Sequence, residues 1–317
     1  DYTLSRGLGD VYKRQGTIWG GKLTLNTPML FALGFIGMFV IGGLSGVTHS
    51  VVPADTQQTD TYYIVAHFHY VLFGGALFGI FSGLYFWFPK VWGRMYNETM
   101  GKIHFWLMLI GFNVTFGPMH WLGLQGQVRR TWVYAEETNL GFWNLIVTIG
   151  AFILAVAILV FMANWIYSRR KGEKAPFDPW DARTIEWSIP SPTPVWNFSK
   201  APEIKSLDDF WHQKYGEDED GRAVRREGTD ELLLKLEEEG LNPDEEIHLP
   251  SPSYFPLILA FGLPFLGYAI IYKSVPLALV GVILLLIGGF GWGTEPLEEE
   301  FETSEENPDA KESSTYE

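Results

Sequence analysis

The chain of 317 residues contains no cysteine. Disulfides, thiolate-bound zinc and thiol nucleophiles are therefore excluded, and any metal must be held by imidazole, carboxylate or other groups. Charge is also missing over long stretches. Six runs, at roughly 28–48, 62–88, 103–123, 142–167, 254–272 and 275–293, are essentially free of Asp, Glu, Lys and Arg. About 20 apolar residues cross a bilayer as a helix. Six such runs exclude an ordinary soluble core and predict an all-α fold, a polytopic transmembrane helical bundle. A basic face is lacking too: the formal net charge is −14, which argues against nucleic acid as a partner and leaves membrane lipid as the surrounding medium. The acids lie outside the apolar runs. Residues 168–252 hold 20 Asp and Glu against 12 Lys and Arg, and residues 294–317 hold 10 acids and one Lys.

Aromatic residues are plentiful, with 13 Trp. Many sit at the ends of the apolar runs, where membrane helices meet water. "LGFIGMFVIGGLSG" has closely spaced glycines, which let helices approach each other. Loop charges suggest an orientation. Residues 89–102 carry Lys90, Arg94 and Lys102, and 169–174 read "RRKGEK"; both are expected to face the cytoplasm. The loop 49–60 has no basic residue and is expected outside. The loop 124–141 shares that outer side yet contains Arg129 and Arg130, an exception that asks for a reason.

The chain divides accordingly. Residues 1–15, "DYTLSRGLGDVYKRQ", show no signal peptide and read as a non-native or disordered segment. Residues 16–198 hold four transmembrane helices, and 199–252 form a cytoplasmic connector. There "SLDDFWHQ" has a capping-box pattern at Ser206 and Asp209. "TDELLLKLEEEG" predicts a helix starting at Thr229 and stopping at Gly240. Residues 253–293 form a transmembrane hairpin turning at Lys273–Ser274, and 294–317 an acidic disordered tail.

"YYIVAHFHYVLFGG" (62–75) places His67 and His69 inside an apolar run. An ionisable side chain within a membrane helix is a functional hypothesis by default. Positions i and i+2 lie about 200° apart on a helix, so the two imidazoles leave from opposite faces. A single metal usually takes an i, i+3 or i, i+4 pair. The spacing therefore suggests two separate partners, and imidazole is a common axial ligand of haem iron. Two buried histidines hydrogen-bonded to neighbouring helices are the other reading of the spacing. His49, His104 and His120 lie near helix ends, where interfacial histidines are common, and His212 and His248 read as ordinary.

"DTYYIVAHFHYV" (60–71) closely resembles the tenth transmembrane helix of subunit I of the haem–copper cytochrome oxidases. The resemblance continues in order through "GGKLTLNTPMLFALGFIGMFVIGGLSG" (20–46), "WFPKVWGR" (87–94), "KIHFWLMLIGFNVTFGPMHWLGLQGQVRR" (102–130) and "DPWDARTIEWSIPSPTP" (178–194). It covers residues 20–198 and makes 16–198 the C-terminal part of that core, helices nine to twelve, with 253–293 an appended hairpin.

The resemblance implies two haems, of a-type. His67 matches the ligand of the high-spin, oxygen-reducing haem, and His69 matches the ligand of the low-spin haem that feeds it. Phe68, between them, would help set the haem spacing. Arg129 and Arg130 match the paired arginines that bind haem propionates, which accounts for the basic outer loop; here they follow "GQV" where the family usually has "GMP". Asp60 matches a magnesium ligand, but Thr59 stands where the family often has His. Asp55 matches an acid near the propionate and water cluster. Copper, its histidines and the proton-input residues belong to earlier helices of the family. The implied whole is the catalytic subunit of a bacterial proton-pumping terminal oxidase, multi-pass in the plasma membrane. It would partner subunits II and III, with cytochrome c delivering electrons through subunit II. A quinol-oxidising relative and a haem-free membrane scaffold or transporter domain are the alternatives.

Overall fold

The computed structural model describes residues 23–218, 223–242 and 252–295. The segment 1–15, His248 and nearly all of the acidic tail lie outside the described residues. Two units are distinguished, Asp1–Asp244 and Glu245–Glu317.

The first unit is built on four long helices. Helix α1 (Thr27–His49) starts where the Asn26 side chain accepts from the Met29 backbone N–H, at 3.2 Å, with Pro28 in the first turn. Both devices satisfy or remove donors that a helix start would orphan. After the short α2 (Val52–Gln58), α3 (Tyr62–Val71) is capped by Thr61. It widens into a π-helical segment at Leu72–Leu77 and continues as α4 (Phe78–Phe86), giving one span of 25 residues. Such π segments recur at functional sites. The short α5 (Phe88–Trp92) is followed by α6 (Glu98–Leu124), capped by Asn97, and α7 (Gly141–Lys171).

Aromatic side chains fill the bundle. Phe31 of α1, Phe78 of α4 and Phe112 of α6 are fully buried, and Phe31 sits edge-on to Phe78 at 5.5 Å. Helices α6 and α7 approach until a Cβ at Gly150 would lie 2.5 Å from the Thr115 backbone nitrogen. Only glycine fits such a crossing.

At the end of the bundle away from His67 and His69, the following chain is bound to the helices. The Lys90 ammonium is buried and donates to the carbonyls of Ile189 and Pro190. Burial pushes its pKa down to about 8, against the raising pull of Asp178 and Glu186. Lys214, at the end of α8 (Asp209–Lys214), is fully buried against Asp178 at 2.5 Å and Asp181 at 2.9 Å. A two-stranded hairpin, β1 (Tyr215–Glu217) and β2 (Ala223–Arg225), leads to α9 (Thr229–Leu241). The connector helices start differently from their sequence signals. Ser206 stands outside α8 and its hydroxyl has no partner among the described residues. Gly228 caps α9, while the Thr229 hydroxyl donates to the Arg226 and Lys214 carbonyls, at 2.7 and 3.1 Å. The Thr229 hydroxyl is thus engaged with carbonyls and does not serve as the acceptor that would cap an isolated helix.

The second unit contains α10 (Phe255–Tyr272) and α11 (Val275–Thr294), joined by Lys273 in the left-handed conformation. With the four spans of the first unit, six helices are long and apolar enough to cross a membrane.

Candidate functional site

Helix α3 is fixed at its start by the loop after α6. The Tyr62 N–H donates to the Gln127 carbonyl and the Arg129 N–H to the Asp60 carbonyl, both at 2.9 Å, with Thr61 and Val128 paired between them. The Arg129 guanidinium closes this clasp on the Asp60 carboxylate at 2.9 Å. The two loops that flank the histidine helix and α6 are thus joined, side chain and backbone together.

His67 faces α1. Its Nδ1 lies 3.0 Å from the Gly42 carbonyl and 2.9 Å from the Ser45 hydroxyl, which itself donates to Gly42 at 2.9 Å. A carbonyl only accepts, so Nδ1 carries the proton. His69 faces α6. Its Nδ1 donates to the Val65 carbonyl one turn earlier at 2.7 Å, and its ring lies flat on Phe116, 4.1 Å between centroids and 14° between planes. Phe68 touches the His69 ring at 4.5 Å. Neither Nε2 has a hydrogen-bond partner among the described residues. Metal-bound histidines have this arrangement: one nitrogen donates to a carbonyl, which fixes the tautomer and raises basicity, and the other presents a lone pair. The two imidazoles therefore fit axial ligation, and their different neighbours place the two lone pairs on different sides of α3.

The other described histidines lie in three places. The His49 ring lies 5.0 Å from that of His67, and Tyr63 touches both His49 and His120, at 5.4 and 5.0 Å. The Nε2 atoms of His49 and His120 are buried without a partner among the described residues. His104 is elsewhere, enclosed by Phe31, Phe81 and Phe161 with the Tyr85 hydroxyl 3.1 Å from its Nδ1. His212 is exposed in α8.

The charged residues of the loops 49–60 and 124–141 are not gathered into one centre. Arg130 is exposed, stands at φ 65° and has no ion-pair partner among the described residues. Asp55, half-buried in α2, makes no side-chain hydrogen bond there either. The residues present do not fit magnesium on their own. The Asp60 carboxylate faces a guanidinium, Thr59 brings no charge, and no group of three His, Asp or Glu is assembled among the described residues. Sequence reasoning missed Gly42, Ser45 and Phe116, the groups that hold the two imidazoles; only their tertiary contacts single them out.

A family model described as "Cytochrome C and Quinol oxidase polypeptide I" matches residues 8–153. The chain is 41% identical to cytochrome c oxidase subunit 1 of Alkalihalophilus pseudofirmus, over 86% of this chain and 41% of that protein. It is 52% identical to cytochrome c oxidase subunit 1 of Synechocystis, over 60% of this chain and 34% of that one. It is also 36% identical to quinol oxidase subunit 1 of Bacillus subtilis, over 86% and 39%. The chain thus spans about two fifths of the length of these relatives. The ordered motifs, the six apolar helices and these similarities lead to one conclusion: the chain is a multi-pass membrane protein belonging to the haem–copper oxidase subunit I family.

Proposed function

We propose that this chain supplies part of the catalytic subunit of a bacterial terminal oxidase that reduces O2 to water in the plasma membrane. His67 and His69 each bind the iron of a separate haem. The observation that carries the reading is the pair of Nε2 atoms on two faces of α3 that have no partner among the described residues, each backed by an Nδ1–H donated to a carbonyl. When bound, the haems, of a-type, supply the electron-transfer and oxygen chemistry. His67 serves the oxygen-reducing side and His69 the electron-delivering side. The Gly42 and Val65 carbonyls hold each imidazole in the ligating tautomer. Phe68 fills the short distance between the two sides. Arg129 and Arg130 bring two positive charges to the outer end of α3, where haem carboxylates need cationic partners.

Copper, held by helices outside this chain, completes the oxygen-reducing centre. Subunits II and III are the partners, and cytochrome c delivers electrons through subunit II. Similarity to a quinol oxidase favours quinol as the second reading of the donor. Reduction of oxygen drives proton translocation in either case. This chain by itself offers one ligand per haem and is expected to be inactive.

Haem analysis of the purified complex tests the reading. The wild type should hold two haems, and His67→Ala and His69→Ala one each. Two haems in both variants, or none in the wild type, would overturn it and favour a haem-free scaffold. Oxygen uptake with reduced cytochrome c or with quinol then decides the donor.

A further inference from the structure

The two histidines are supported by different means. The His67 ring is held by hydrogen bonds to α1, whereas the His69 ring has a flat aromatic partner on a different helix. Phe116 is 8% exposed and part of the α6 core. Phe112, one turn earlier, meets it at 4.9 Å, and Phe73 packs on both. Phe116 therefore has neighbours that hold its own plane. Rotating the His69 ring about its Cβ–Cγ bond would break the 2.7 Å bond to Val65 and drive an edge into the Phe116 face. Stacked rings prefer offset parallel contact, and a close-packed interior has no slack to absorb such a turn.

We propose that Phe116 is a positioning residue that fixes the imidazole plane of His69. Two constraints act together. The Val65 carbonyl sets where Nδ1 points, and the Phe116 face sets the tilt of the ring about that direction. Haem iron responds to this angle, because the orientation of an axial imidazole plane sets the splitting of the iron d orbitals. Among the described residues His67 has no such stacked partner: its ring neighbour His49 lies at 40°. The clamp is therefore specific to the low-spin side. The inference rests on His69 being a haem ligand.

The test uses the purified, haem-loaded complex containing the full chain, with Phe116→Leu, Phe116→Tyr and His69→Ala compared by low-temperature electron paramagnetic resonance. Phe116→Leu should shift and broaden the low-field line of the low-spin ferric haem while the high-spin signal stays unchanged. Phe116→Tyr keeps a flat ring and should restore the wild-type line. A Phe116→Leu spectrum with wild-type g values would overturn the clamp, and so would equal loss of both haem signals, which would mean general core damage. Retention of the low-spin line in His69→Ala would instead overturn the ligand assignment on which the clamp depends, so the two failures are distinguishable.

Discussion

His67 and His69 are two residues apart, yet their surroundings differ in kind. His67 is held by another helix: its Nδ1 reaches the Gly42 carbonyl and the Ser45 hydroxyl of α1, at 3.0 and 2.9 Å. His69 is held by its own helix through Val65, and by Phe116 of α6. A disturbance of the α1 face should therefore reach His67 alone, and one of the α6 face His69 alone. On the proposed reading, one helix serves two haems because each imidazole has its own support.

Substitutions can break that comparison in order of expected effect. His67→Ala should abolish oxygen reduction while leaving the low-spin spectrum intact, as measured by oxygen uptake and visible spectroscopy on one preparation. Lys214→Met is the distant control. It leaves the Asp178 carboxylate buried and unpaired, a change that typically costs about 3–5 kcal/mol. Thermal unfolding and protease digestion should show a loosened connector, with both haem spectra retained.

Gly46→Val sharpens the comparison further. A Cβ at Gly46 would lie 2.8 Å from Cε1 of His67 and would push the ring off its carbonyl. Loss of such supporting contacts typically costs about 10–100-fold in metal affinity. Haem retention should fall on the His67 side only. Asp60→Asn opens the clasp with Arg129, a half-exposed pair worth about 1 kcal/mol or less. A small drop in unfolding temperature should appear, smaller at high salt, with little change in either haem signal.

The last prediction concerns pH. Lys90 in the folded chain has its pKa lowered by burial to about 8 from an ordinary 10.5. Between those values the unfolded chain binds more protons than the folded one, so stability should rise with pH across that window. Below about 8 the ammonium is charged in both states and the slope vanishes. Lys90→Met should remove that rise in a series of thermal unfolding curves from pH 7 to 10.5.

The spans were legible in the sequence because a bilayer demands long uncharged helices. The runs at 28–48 and 103–123 correspond to helices Thr27–His49 and Glu98–Leu124. The opposite faces of His67 and His69 followed from helical geometry, and the structure gives them different helices as neighbours. What escaped depends on contacts between distant residues. Nothing in "FNVTFGPMH" marks Phe116 as a plate for His69, and nothing in "GGLSG" marks Gly42 as an acceptor. The expected capping box at Ser206 did not form, since α8 starts only at Asp209, whereas α9 starts at Thr229 as expected and runs one residue past Gly240. The pairing of Arg129 with Asp60 was hidden too, since each residue had been matched to a different ligand.

The central claim is that α3 presents one imidazole to each of two haems. The most direct test is the electron paramagnetic resonance spectrum of the oxidised, purified complex carrying His69→Ala. The low-spin ferric signal should be lost, and the high-spin signal, exposed by blocking its coupling to copper, should remain. Loss of both signals together, or persistence of the low-spin line, would contradict the account.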